Sequence, residues 1–459
     1  MIHRRLIDIQ DMVSGSGLLS SNENQLIEGV SIDSRTVKQG NLFIPIIRLK
    51  DGHLYVREAI KNGAVATLWL KNHPNPPTDI PVIFVDDTLV ALQSLAKNYR
   101  KQLSVKVIGI TGSNGKTTTK DMVSSIAKTT FTVHKTKGNL NSEYGLPLTV
   151  LEVSEKDDIV VLEMGMSQRG EIEMLSTIAQ PNIAIITMIG VSHIANLGSK
   201  EEIANAKLEI ITGLQEKGTF IYNGDEPLLQ KINDRFHKKQ LRTLTFGEQS
   251  SSNDFYPTKI EMNSGFMQFC INHNDSPVFT MNIIGKHNVY NALAAIAVGK
   301  ELGIPMKTIA NGLQKVKLTD MRMQKIMGAN GLTIINDAWN ASPHSVRMAI
   351  ETFQELVGYR NKILVLGDML ELGEKEVDYH KEIGQRISPN KIDYLFTYGN
   401  LSKHIAMEAQ KYFERNRVFS YTNKNALIEN LTRTVESQDI VLVKGSRGMR
   451  LEDVVNILL

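Results

Sequence analysis

Short apolar runs alternate with amphipathic stretches along most of this chain. In the middle of the sequence the runs at 105–110, 159–162, 183–189 and 219–222 are dominated by Val, Ile and other apolar residues, and helix-like spacing separates them. Continuous apolar runs of this length are typical of strands buried on both faces of a parallel sheet. Their alternation with helices predicts an α/β fold.

The same alternation divides the chain into three predicted domains, which suits a length of 459 residues. We expect a small α/β module at 1–86, a central parallel-sheet domain with a phosphate loop at 87–317, and a C-terminal Rossmann-like domain at 318–459. The predicted strands of the first module are 42–47, 64–70 and 82–85. Those of the C-terminal domain are 332–336, 363–366, 394–398 and 440–443.

The stretch VKVIGITGSNGKTTT at 105–119 carries the strongest functional signal. An apolar strand leads into Gly112 and Gly115, whose missing side chains let backbone N–H groups close around phosphate oxygens at a helix start. Lys116 adds a positive charge, and Thr117 offers a hydroxyl to Mg²⁺. Glycine-rich turns without phosphate are common, but this order of strand, loop, Lys-Thr and helix predicts nucleotide binding. The predicted ATP-binding residues here are Gly112, Ser113, Asn114, Gly115, Lys116, Thr117 and Thr118.

Composition narrows the class of protein further. The 52 Lys and Arg against 49 Asp and Glu give a net charge of +3 without charge blocks, which argues against a nucleic-acid-binding face. A single cysteine, Cys270, excludes internal disulfides and fits a reducing cytoplasm. The N-terminus lacks a signal-peptide core and no run reaches the length of a membrane span, so we expect a cytoplasmic protein.

Two residues follow predicted strands of the central sheet. Glu163 ends the run DIVVLEMG, and His193 lies in the loop after the run at 183–189. Ligands bind at the carboxyl edge of open parallel sheets, so Glu163 is placed to hold Mg²⁺ and His193 is a candidate ligand. A solvated glutamate and a surface histidine are the structural alternatives.

Lys207 lies on the apolar stripe of the next predicted helix, which opens with Ser199 and Glu202 in capping-box spacing. An ammonium on such a stripe is costly unless it is paired or neutralised. Burial lowers the pKa of a lysine, and a neutral amine can react with CO₂ to give a carbamate, which is an anionic metal ligand. The alternative is a lysine whose stem crosses the apolar face while its head remains in water.

The segment GKHNVYNALAAIAVG opens a predicted helix at His287, with Asn288 and Asn291 on the same side. Two side-chain amides there could recognise the hydrogen-bonding edge of a base. They could equally cap the helix.

Polar residues also follow two predicted strands of the C-terminal domain. Asp337 and Asn340 in NDAWNASP precede a helix predicted to begin near Pro343, and an Asx turn would explain both without a ligand. Lys444 and Arg447 in VLVKGSRGM suit an anionic ligand, or a solvated turn.

Taken together, these motifs resemble the Mur ligases of peptidoglycan synthesis over essentially the whole chain. The matching segments, in order, are TGSNGKTTT, GNLNSEYGLP, LEMG, the His193 loop with the Lys207 helix, GKHNVYNALAA, MRM and NDAWNASP. Within the family NDAWNASP, LGDMLELG and VLVKGSRGM are similar to the branch that joins D-alanyl-D-alanine to UDP-N-acetylmuramoyl-tripeptide. The branch that adds a free diamino acid carries an Asp-Asn-Pro motif and a Lys-Gly-His-Glu ending, and this chain has neither.

The N-terminal IDSRTVKQGNLFIPI followed by DGH resembles the UDP-sugar-binding module of these enzymes. Two segments depart from the family pattern: IIRLK stands where a Lys-Gly-Glu-like stretch is usual, and Ser142 stands where a second consecutive Asn is common. We therefore carry substrate binding over to Asn139 and Asn141 only.

The resemblance implies an ATP-dependent amide ligase that works through an acyl phosphate. It assigns Lys116 and Thr117, with a first Mg²⁺, to the terminal phosphates of ATP. It assigns Glu163, His193 and a carbamylated Lys207 to a second Mg²⁺.

The resemblance also implies contacts from both sides of a closing domain junction. Asn288 and Asn291 would contact adenine, and Asp337, with Asn340, the ribose side of ATP. Arg322 would reach the phosphates only when the third domain closes. The remaining expected contacts are Ser34 and Arg35 with the UDP moiety, and Lys444 or Arg447 with the dipeptide carboxylate.

Two rival functions remain at this stage. One is another amide ligase of the same architecture, either the family branch that adds a free diamino acid or a folylpolyglutamate synthase. The folate enzymes lack a UDP-binding module like residues 1–86. The other is a non-catalytic nucleotide switch, which needs only one Mg²⁺ site. We expect a monomer that acts on small-molecule substrates, with neither nucleic acid nor a membrane span.

Overall fold

The computed structural model describes residues 1–230, 240–262, 265–274 and 276–459. It is an α/β structure built on parallel sheets, as predicted, and each sheet lies within one of the three sequence ranges given above. Within the described residues, no helix is long and apolar enough to cross a bilayer.

The N-terminal part carries a four-stranded parallel sheet in the order β3-β4-β5-β6 and a short antiparallel pair, β1-β2. The predicted strand at 42–47 ends at Phe43, because Pro45 has no N–H with which to continue a ladder. The strands are β1 His3–Arg5, β2 Leu26–Glu28, β3 Val30–Ser31, β4 Asn41–Phe43, β5 Ala64–Leu70 and β6 Val82–Val85. The helices are α1 Leu6–Met12 and α2 Val56–Lys61.

The central part is a six-stranded, wholly parallel sheet in the order β12-β11-β10-β7-β9-β8. Its strands are β7 Lys106–Thr111, β8 Val133–Lys135, β9 Ile159–Glu163, β10 Ile183–Ile186, β11 Thr219–Asn223 and β12 Arg242–Phe246. Its helices are α3 Thr88–Gln102, α4 Lys116–Ala127, α5 Gly145–Glu152, α6 Glu171–Ala179, α7 Ile194–Leu197, α8 Lys200–Leu208, α9 Ile210–Gly213, α10 Pro227–Gln230, α11 His287–Glu301 and α12 Met306–Gln314.

Two features of this central part differ from the prediction. The strand expected at 183–189 ends at Ile186, because the carbonyl of Met188 turns to accept a hydrogen bond from Ser113 N in the phosphate loop. A small antiparallel sheet was also not predicted, although Met267, Phe269 and Ile271 alternate with less buried residues along one of its strands. Its strands are β13 Pro257–Met262, β14 Met267–Ile271 and β15 Phe279–Met281.

The C-terminal part has a second six-stranded sheet, in the order β16-β17-β21-β18-β19-β20, in which only the edge strand β16 is antiparallel. Its strands are β16 Gln324–Met327, β17 Thr333–Asp337, β18 Lys362–Gly367, β19 Tyr394–Tyr398, β20 Val418–Tyr421 and β21 Ile440–Lys444. Its helices are α13 Pro343–Gln354, α14 Glu376–Gln385, α15 Lys403–Ala409, α16 Lys424–Thr434 and α17 Glu452–Leu458.

The strand that leads into the phosphate loop is anchored on both faces. Val107 packs in an apolar cluster with Leu175, and Ile108 and Ile110 pack on the opposite face in a cluster with Leu293 of α11. Truncating one such side chain to alanine costs about 2–5 kcal/mol. The loop that follows β7 is therefore held on a rigid support.

Candidate active site

The phosphate loop joins β7 to α4 with two residues that only glycine can fill without strain. A Cβ on Gly112, where φ is 150°, would lie 1.9 Å from Thr187 Oγ1. A Cβ on Gly115, where φ is 83°, would lie 2.4 Å from Asn291 Oδ1. Gly115 directly precedes the first residue of α4, so the free N–H groups of that helix start face the loop. This is the geometry that binds phosphate.

Four cationic side chains converge beside this loop, and we call them the cation cluster: Lys116, Lys120, Lys207 and Arg322. Lys120 and Lys207 are buried, and the other two are partly buried. Burial lowers the pKa of each of the four. Repulsion from Arg322 lowers the pKa of Lys116 further, and repulsion from Lys116 does the same for Lys207. Such a concentration of positive charge favours a polyanionic ligand.

Glu163 is the carboxylate at the centre of this charge. It ends β9, which pairs directly with β7, and it is 2% exposed. Asn141 Nδ2 donates to Glu163 Oε1 at 2.8 Å, and Thr136 Oγ1 accepts from Glu163 N at 3.0 Å. Among the described residues, Glu163 Oε2 has no hydrogen-bond partner, and Lys120 Nζ lies 3.9 Å away. An oriented but unsatisfied carboxylate oxygen is suited to a cation.

His193 follows β10, whereas Glu163 ends β9. Because β7 lies between β9 and β10, Glu163 and His193 flank the phosphate loop from opposite sides. His193 has a left-handed backbone conformation, φ 63° and ψ 21°, at the start of α7. Its Nδ1 lies 2.6 Å from Glu371 Oε2 in the C-terminal part. Burial lowers the pKa of His193, while the Glu371 carboxylate opposes this shift.

Lys207 lies in α8, whose first turn is capped as expected: Ser199 Oγ accepts from Glu202 N at 3.1 Å. The helix ends at Leu208, and Ile210–Gly213 forms a separate helical turn. Lys207 is 2% exposed, so its amine does not extend into water. Burial and the charge of Lys116 lower its pKa well below the usual lysine value.

Glu163, His193 and Lys207 therefore approach the phosphate loop from adjacent parts of one sheet edge. The unsatisfied Glu163 oxygen and the imidazole provide donors that fit a divalent cation. A neutral Lys207 amine adds no negative charge unless it is modified.

Asn288 and Asn291 are both buried in the first turns of α11 and bond to protein atoms. Asn288 Nδ2 donates to Ile284 O at 2.8 Å, and Asn291 Nδ2 donates to Asn288 Oδ1 at 3.1 Å. Asn291 Oδ1 also accepts from Thr119 Oγ1 at 3.3 Å. This pair thus supports the phosphate loop, while both residues line a cavity of about 480 Å³ beside it.

The C-terminal part closes that cavity from the opposite side. Ser342 Oγ donates to Asn114 Oδ1 at 3.1 Å, and Arg322 Nη2 lies 3.4 Å from Thr117 Oγ1. Arg322 therefore reaches the phosphate loop in this arrangement of the domains. Helix α13 begins at Pro343 as predicted, but its cap is Ser342, whose hydroxyl accepts from Ser345 N. Neither Asp337 nor Asn340 therefore caps this helix, although Asn340 Oδ1 accepts from Ala341 N at 2.9 Å.

Asp337 and Lys444 end the paired strands β17 and β21 and bind each other within the cavity. Lys444 Nζ donates to Asp337 Oδ2 at 2.6 Å and to Asn340 O at 3.0 Å. Asp337 Oδ1 also accepts from Met323 N at 3.1 Å. All four residues line the 480 Å³ cavity.

Arg447 lies outside this pair. Its guanidinium carbon is 4.9 Å from the ring centre of Trp339, and that of Arg322 is 5.9 Å from the same ring. Arg447 Nη1 also donates to Glu452 Oε1 at 2.8 Å. Its side chain is 51% exposed, which leaves it accessible to an anion.

A larger cavity of about 1200 Å³ lies between the N-terminal and central parts. Ser34, Arg35 and Asn139 line it, as does Ser142, while Asn141 is directed to Glu163. Ser34 Oγ donates to Glu58 Oε2, and Arg35 pairs with Asp33. The adjacent Asn139 and Asn141 therefore connect the large cavity to the phosphate loop.

The IIRLK departure also acquires a structural role at this cavity. Arg48 stacks with its guanidinium carbon 3.7 Å from the ring centre of Tyr144, and both residues line the cavity. The loop thereby connects the N-terminal and central parts.

A second group of metal-ligating side chains lies in the N-terminal part. Asp51 accepts from His53 Nδ1 at 2.7 Å and lies 2.9 Å from His73 Nε2. Leu70 N–H points at His53 Nε2, so the proton of that ring is on Nδ1. The cluster is therefore satisfied by internal hydrogen bonds.

Sequence reasoning missed several residues of the site. Lys120 lies on α4, four residues after Lys116. Its place in the segment GKTTTKD was the only local signal that it belongs to the site. Its neighbour Asp121 accepts from Lys135 Nζ at 2.6 Å and from Thr319 N at 2.7 Å. Glu371 and Trp339 reach the site only through domain packing, which leaves no local signal.

Comparison with known proteins agrees with this geometry. Residues 110–299 match the Mur ligase middle domain, and residues 321–447 match the Mur ligase glutamate ligase domain. A UDP-N-acetylmuramoyl-tripeptide–D-alanyl-D-alanine ligase of Bacillus subtilis is 48% identical, covering 100% of this chain and 99% of its own. This chain therefore belongs to the Mur ligase family.

Solved structures point to one branch of that family. MurF of Acinetobacter baumannii superposes with a TM-score of 0.87 at 27% identity, over 100% of this chain and 99% of its own. MurF of Thermotoga maritima, solved in complex with ADP, has a TM-score of 0.80 at 29% identity, over 94% of this chain and 97% of its own.

Proposed function

We propose that this chain joins D-alanyl-D-alanine to UDP-N-acetylmuramoyl-tripeptide at the expense of ATP, the last cytoplasmic step of UDP-N-acetylmuramoyl-pentapeptide synthesis. The observation that carries the proposal is the cation cluster beside the phosphate loop, between a 1200 Å³ cavity and a 480 Å³ cavity. The large cavity suits a nucleotide sugar, and the small one suits a purine nucleotide. The full-length likeness to the Bacillus subtilis ligase supports the choice of substrates.

The reaction begins with transfer of the γ-phosphoryl group of ATP to the terminal carboxylate of the tripeptide. Phosphoryl transfer needs positioned donors and cations more than covalent help from the protein. Backbone N–H groups at the start of α4, with Lys116 and Arg322, would hold the phosphates and stabilise their developing charge.

Divalent cations fit the same edge. Thr117 would hold a Mg²⁺ at the β- and γ-phosphates, and Glu163, His193 and a carbamylated Lys207 would hold a second. These ions would neutralise the repulsion between the substrate carboxylate and the phosphates. The lowered pKa of Lys207 supplies the neutral amine that carbamylation requires.

The amine of the dipeptide then attacks the acyl phosphate, and phosphate leaves as the amide forms. An acyl phosphate hydrolyses in water, so enclosure of the site by the third domain has chemical value. The contacts of Ser342 and Arg322 with the phosphate loop support such an enclosure.

Roles for the remaining residues follow from their positions. We assign the UDP moiety to Ser34 and Arg35, and the peptide part of the substrate to Asn139 and Asn141. Asn288, Asn291, Asp337 and Asn340 line the nucleotide cavity, with Lys444 held by Asp337. Arg447 is then the better candidate of the two cations for the dipeptide carboxylate. We further propose three domains at 1–86, 87–317 and 318–459, a cytoplasmic location and a monomer.

A substrate panel tests the proposal. With ATP and UDP-N-acetylmuramoyl-tripeptide, phosphate release should require D-alanyl-D-alanine. With the corresponding UDP-dipeptide, neither L-lysine nor meso-diaminopimelate should support release. Tripeptides that end in L-lysine and in meso-diaminopimelate are assayed side by side to identify the natural acceptor. Turnover with a free diamino acid would assign the chain to a different branch of the family.

A further inference from the structure

The contact between His193 and Glu371 joins two strained residues across a domain junction. His193 Nδ1 lies 2.6 Å from Glu371 Oε2, and the backbone φ is 63° at both residues. Left-handed conformations of non-glycine residues are unfavourable and persist where the surroundings impose them. The Glu371 side chain is 55% exposed, so it is not part of a core that would explain its conformation.

The loop that carries Glu371 is fixed to the C-terminal sheet. Asp368, just after β18, accepts hydrogen bonds from the backbone N–H groups of Asn400, Leu401 and Ser402. Met369 N donates to His380 Nε2 at 3.0 Å, and Leu370 N donates to Ser446 Oγ at 2.9 Å. Because its base is held in this way, Glu371 moves with the C-terminal domain. Its contact with His193 therefore depends on the orientation of that domain.

A second contact fixes the same junction at the backbone level. Ala195 N lies 3.5 Å from the carbonyl oxygen of Glu371, and a Cβ on Gly373 would lie 3.5 Å from Ala195 Cα. The loop thus packs on the turn that starts at His193. The backbone on each side of the contact is therefore held by packing, and this places the Glu371 carboxylate beside His193.

The carboxylate has a chemical consequence for the imidazole. An ionised carboxylate only accepts hydrogen bonds, so at 2.6 Å it favours a ring proton on Nδ1 and a free Nε2 lone pair, although Nδ1 is not aligned for a hydrogen bond among the described residues. Histidines that bind metals usually donate their other N–H to such a group, which orients the ring and makes the ligand more basic. Loss of such a partner typically weakens metal binding or activity 10–100-fold.

We propose that Glu371 is a positioning residue that sets the tautomer and orientation of His193 when the third domain closes, so that the second divalent cation binds tightly only in the closed enzyme. The proposal rests on the metal role assigned to His193 under the proposed function. The metal site is then complete only after the domain closes, and ATP turnover is limited before the substrates are enclosed.

The test measures metal binding directly. Free Mn²⁺ is followed by electron paramagnetic resonance while it is titrated into the full chain with β,γ-imido-ATP and UDP-N-acetylmuramoyl-tripeptide, which cannot turn over. The variants are Glu371→Ala and Glu371→Gln, and the control is Glu374→Ala, an exposed carboxylate in the same loop. Nitrogen chemical shifts of His193 report its tautomer in parallel samples that contain diamagnetic Mg²⁺ in place of Mn²⁺.

We expect two Mn²⁺ ions per wild-type chain, and about 10–100-fold weaker binding of the second ion in Glu371→Ala. Glu371→Gln should fall between the two because an amide oxygen still accepts from Nδ1–H, and Glu374→Ala should match the wild type. Wild-type binding of the second ion by Glu371→Ala would overturn the positioning role alone. A wild-type chain that binds only one ion would overturn the second metal site, and this inference with it.

Discussion

Charged residues lie at the carboxyl edges of both six-stranded sheets of this protein, but only those of the C-terminal sheet neutralise each other. At the carboxyl edge of the central sheet, Glu163 interacts with Lys116, Lys120 and Arg322, and neither Lys120 Nζ nor Glu163 Oε2 has a hydrogen-bond partner among the described residues. At the edge of the C-terminal sheet, Lys444 and Asp337 neutralise each other at 2.6 Å. In the described part of the chain, Lys120 has only long ion pairs, 3.7 Å from Asp121 and 3.9 Å from Glu163, and buried charges that lack hydrogen bonds are costly, so the first edge is the better suited to a ligand.

This difference assigns separate tasks to the two domains. The central domain carries Lys116, Lys120 and Lys207, whose positive charge phosphates and a carboxylate would compensate. The charges at the edge of the C-terminal sheet are already paired. This domain contacts the central edge through Ser342, Arg322 and Glu371. Substitutions should therefore affect chemistry at the first edge and stability at the second.

The largest effect is expected at the central edge. Lys116→Ala and Glu163→Ala should each lower kcat by at least about 10²–10³-fold, because both act on charge that develops in the transition state. Thermal unfolding of Lys116→Ala should be unchanged or shifted upwards, since burial disfavours the Lys116 charge, and repulsion from Arg322 and Lys207 opposes its attraction to Glu163. Phosphate release and circular dichroism provide the measurements, with the exposed Lys128→Ala as control. Full ATP-dependent phosphate release in either variant would refute the assignment of the site.

A comparable loss that can be rescued is expected at Lys207. Lys207→Ala should lose activity because it removes the amine that becomes the carbamate, and a small carboxylic acid such as acetate should restore part of it. Lys200 lies in the same helix as Lys207 and pairs with Glu226. Lys200→Ala, which removes that ion pair, should retain activity. In the wild type, ¹³C-enriched bicarbonate should give a carbamate signal that is missing in Lys207→Ala. An unmodified lysine in the active enzyme would contradict this prediction.

The C-terminal edge should respond in stability. Lys444→Met leaves the Asp337 carboxylate buried without its cation, and breaking such a pair costs about 3–5 kcal/mol. The double variant Lys444→Met/Asp337→Asn should lose clearly less, because no charge remains uncompensated. Urea unfolding of the two variants measures the difference. Equal losses would show that the pair is not the stabilising unit.

The smallest effect is a dependence of stability on pH at the nucleotide cavity. Burial lowers the pKa of His287 and of His344 to about 4. Below a pH of about 6.5 the unfolded chain binds protons that the folded chain excludes, so the free energy of unfolding should fall as the pH drops towards 4. The slope is about 1.4 kcal/mol per pH unit for each histidine. His344→Gln should lower the slope by the contribution of one histidine. Urea midpoints compared from pH 7 to 5 measure the slope, and an unchanged slope would contradict the prediction.

Local features of this fold could be predicted from the sequence, and non-local ones could not. Strands β5, β6 and β19 have the predicted bounds, and the phosphate loop lies where its glycines indicated, because short-range sterics and burial decide both. The strand at 183–189 was predicted too long because Met188 pairs with a distant loop residue. Lys120 and Glu371 could not be assigned, since their roles depend on Glu163 and His193 across packed elements.

The claim that ATP activates a carboxylate at the central edge has one direct measurement. UDP-N-acetylmuramoyl-tripeptide labelled with ¹⁸O in its terminal carboxylate is turned over with ATP and D-alanyl-D-alanine, and the released phosphate is analysed by mass spectrometry. An acyl phosphate transfers one labelled oxygen from the carboxylate to each phosphate, so we predict singly labelled phosphate alongside ADP. Unlabelled phosphate, or release of AMP and pyrophosphate, would contradict the account.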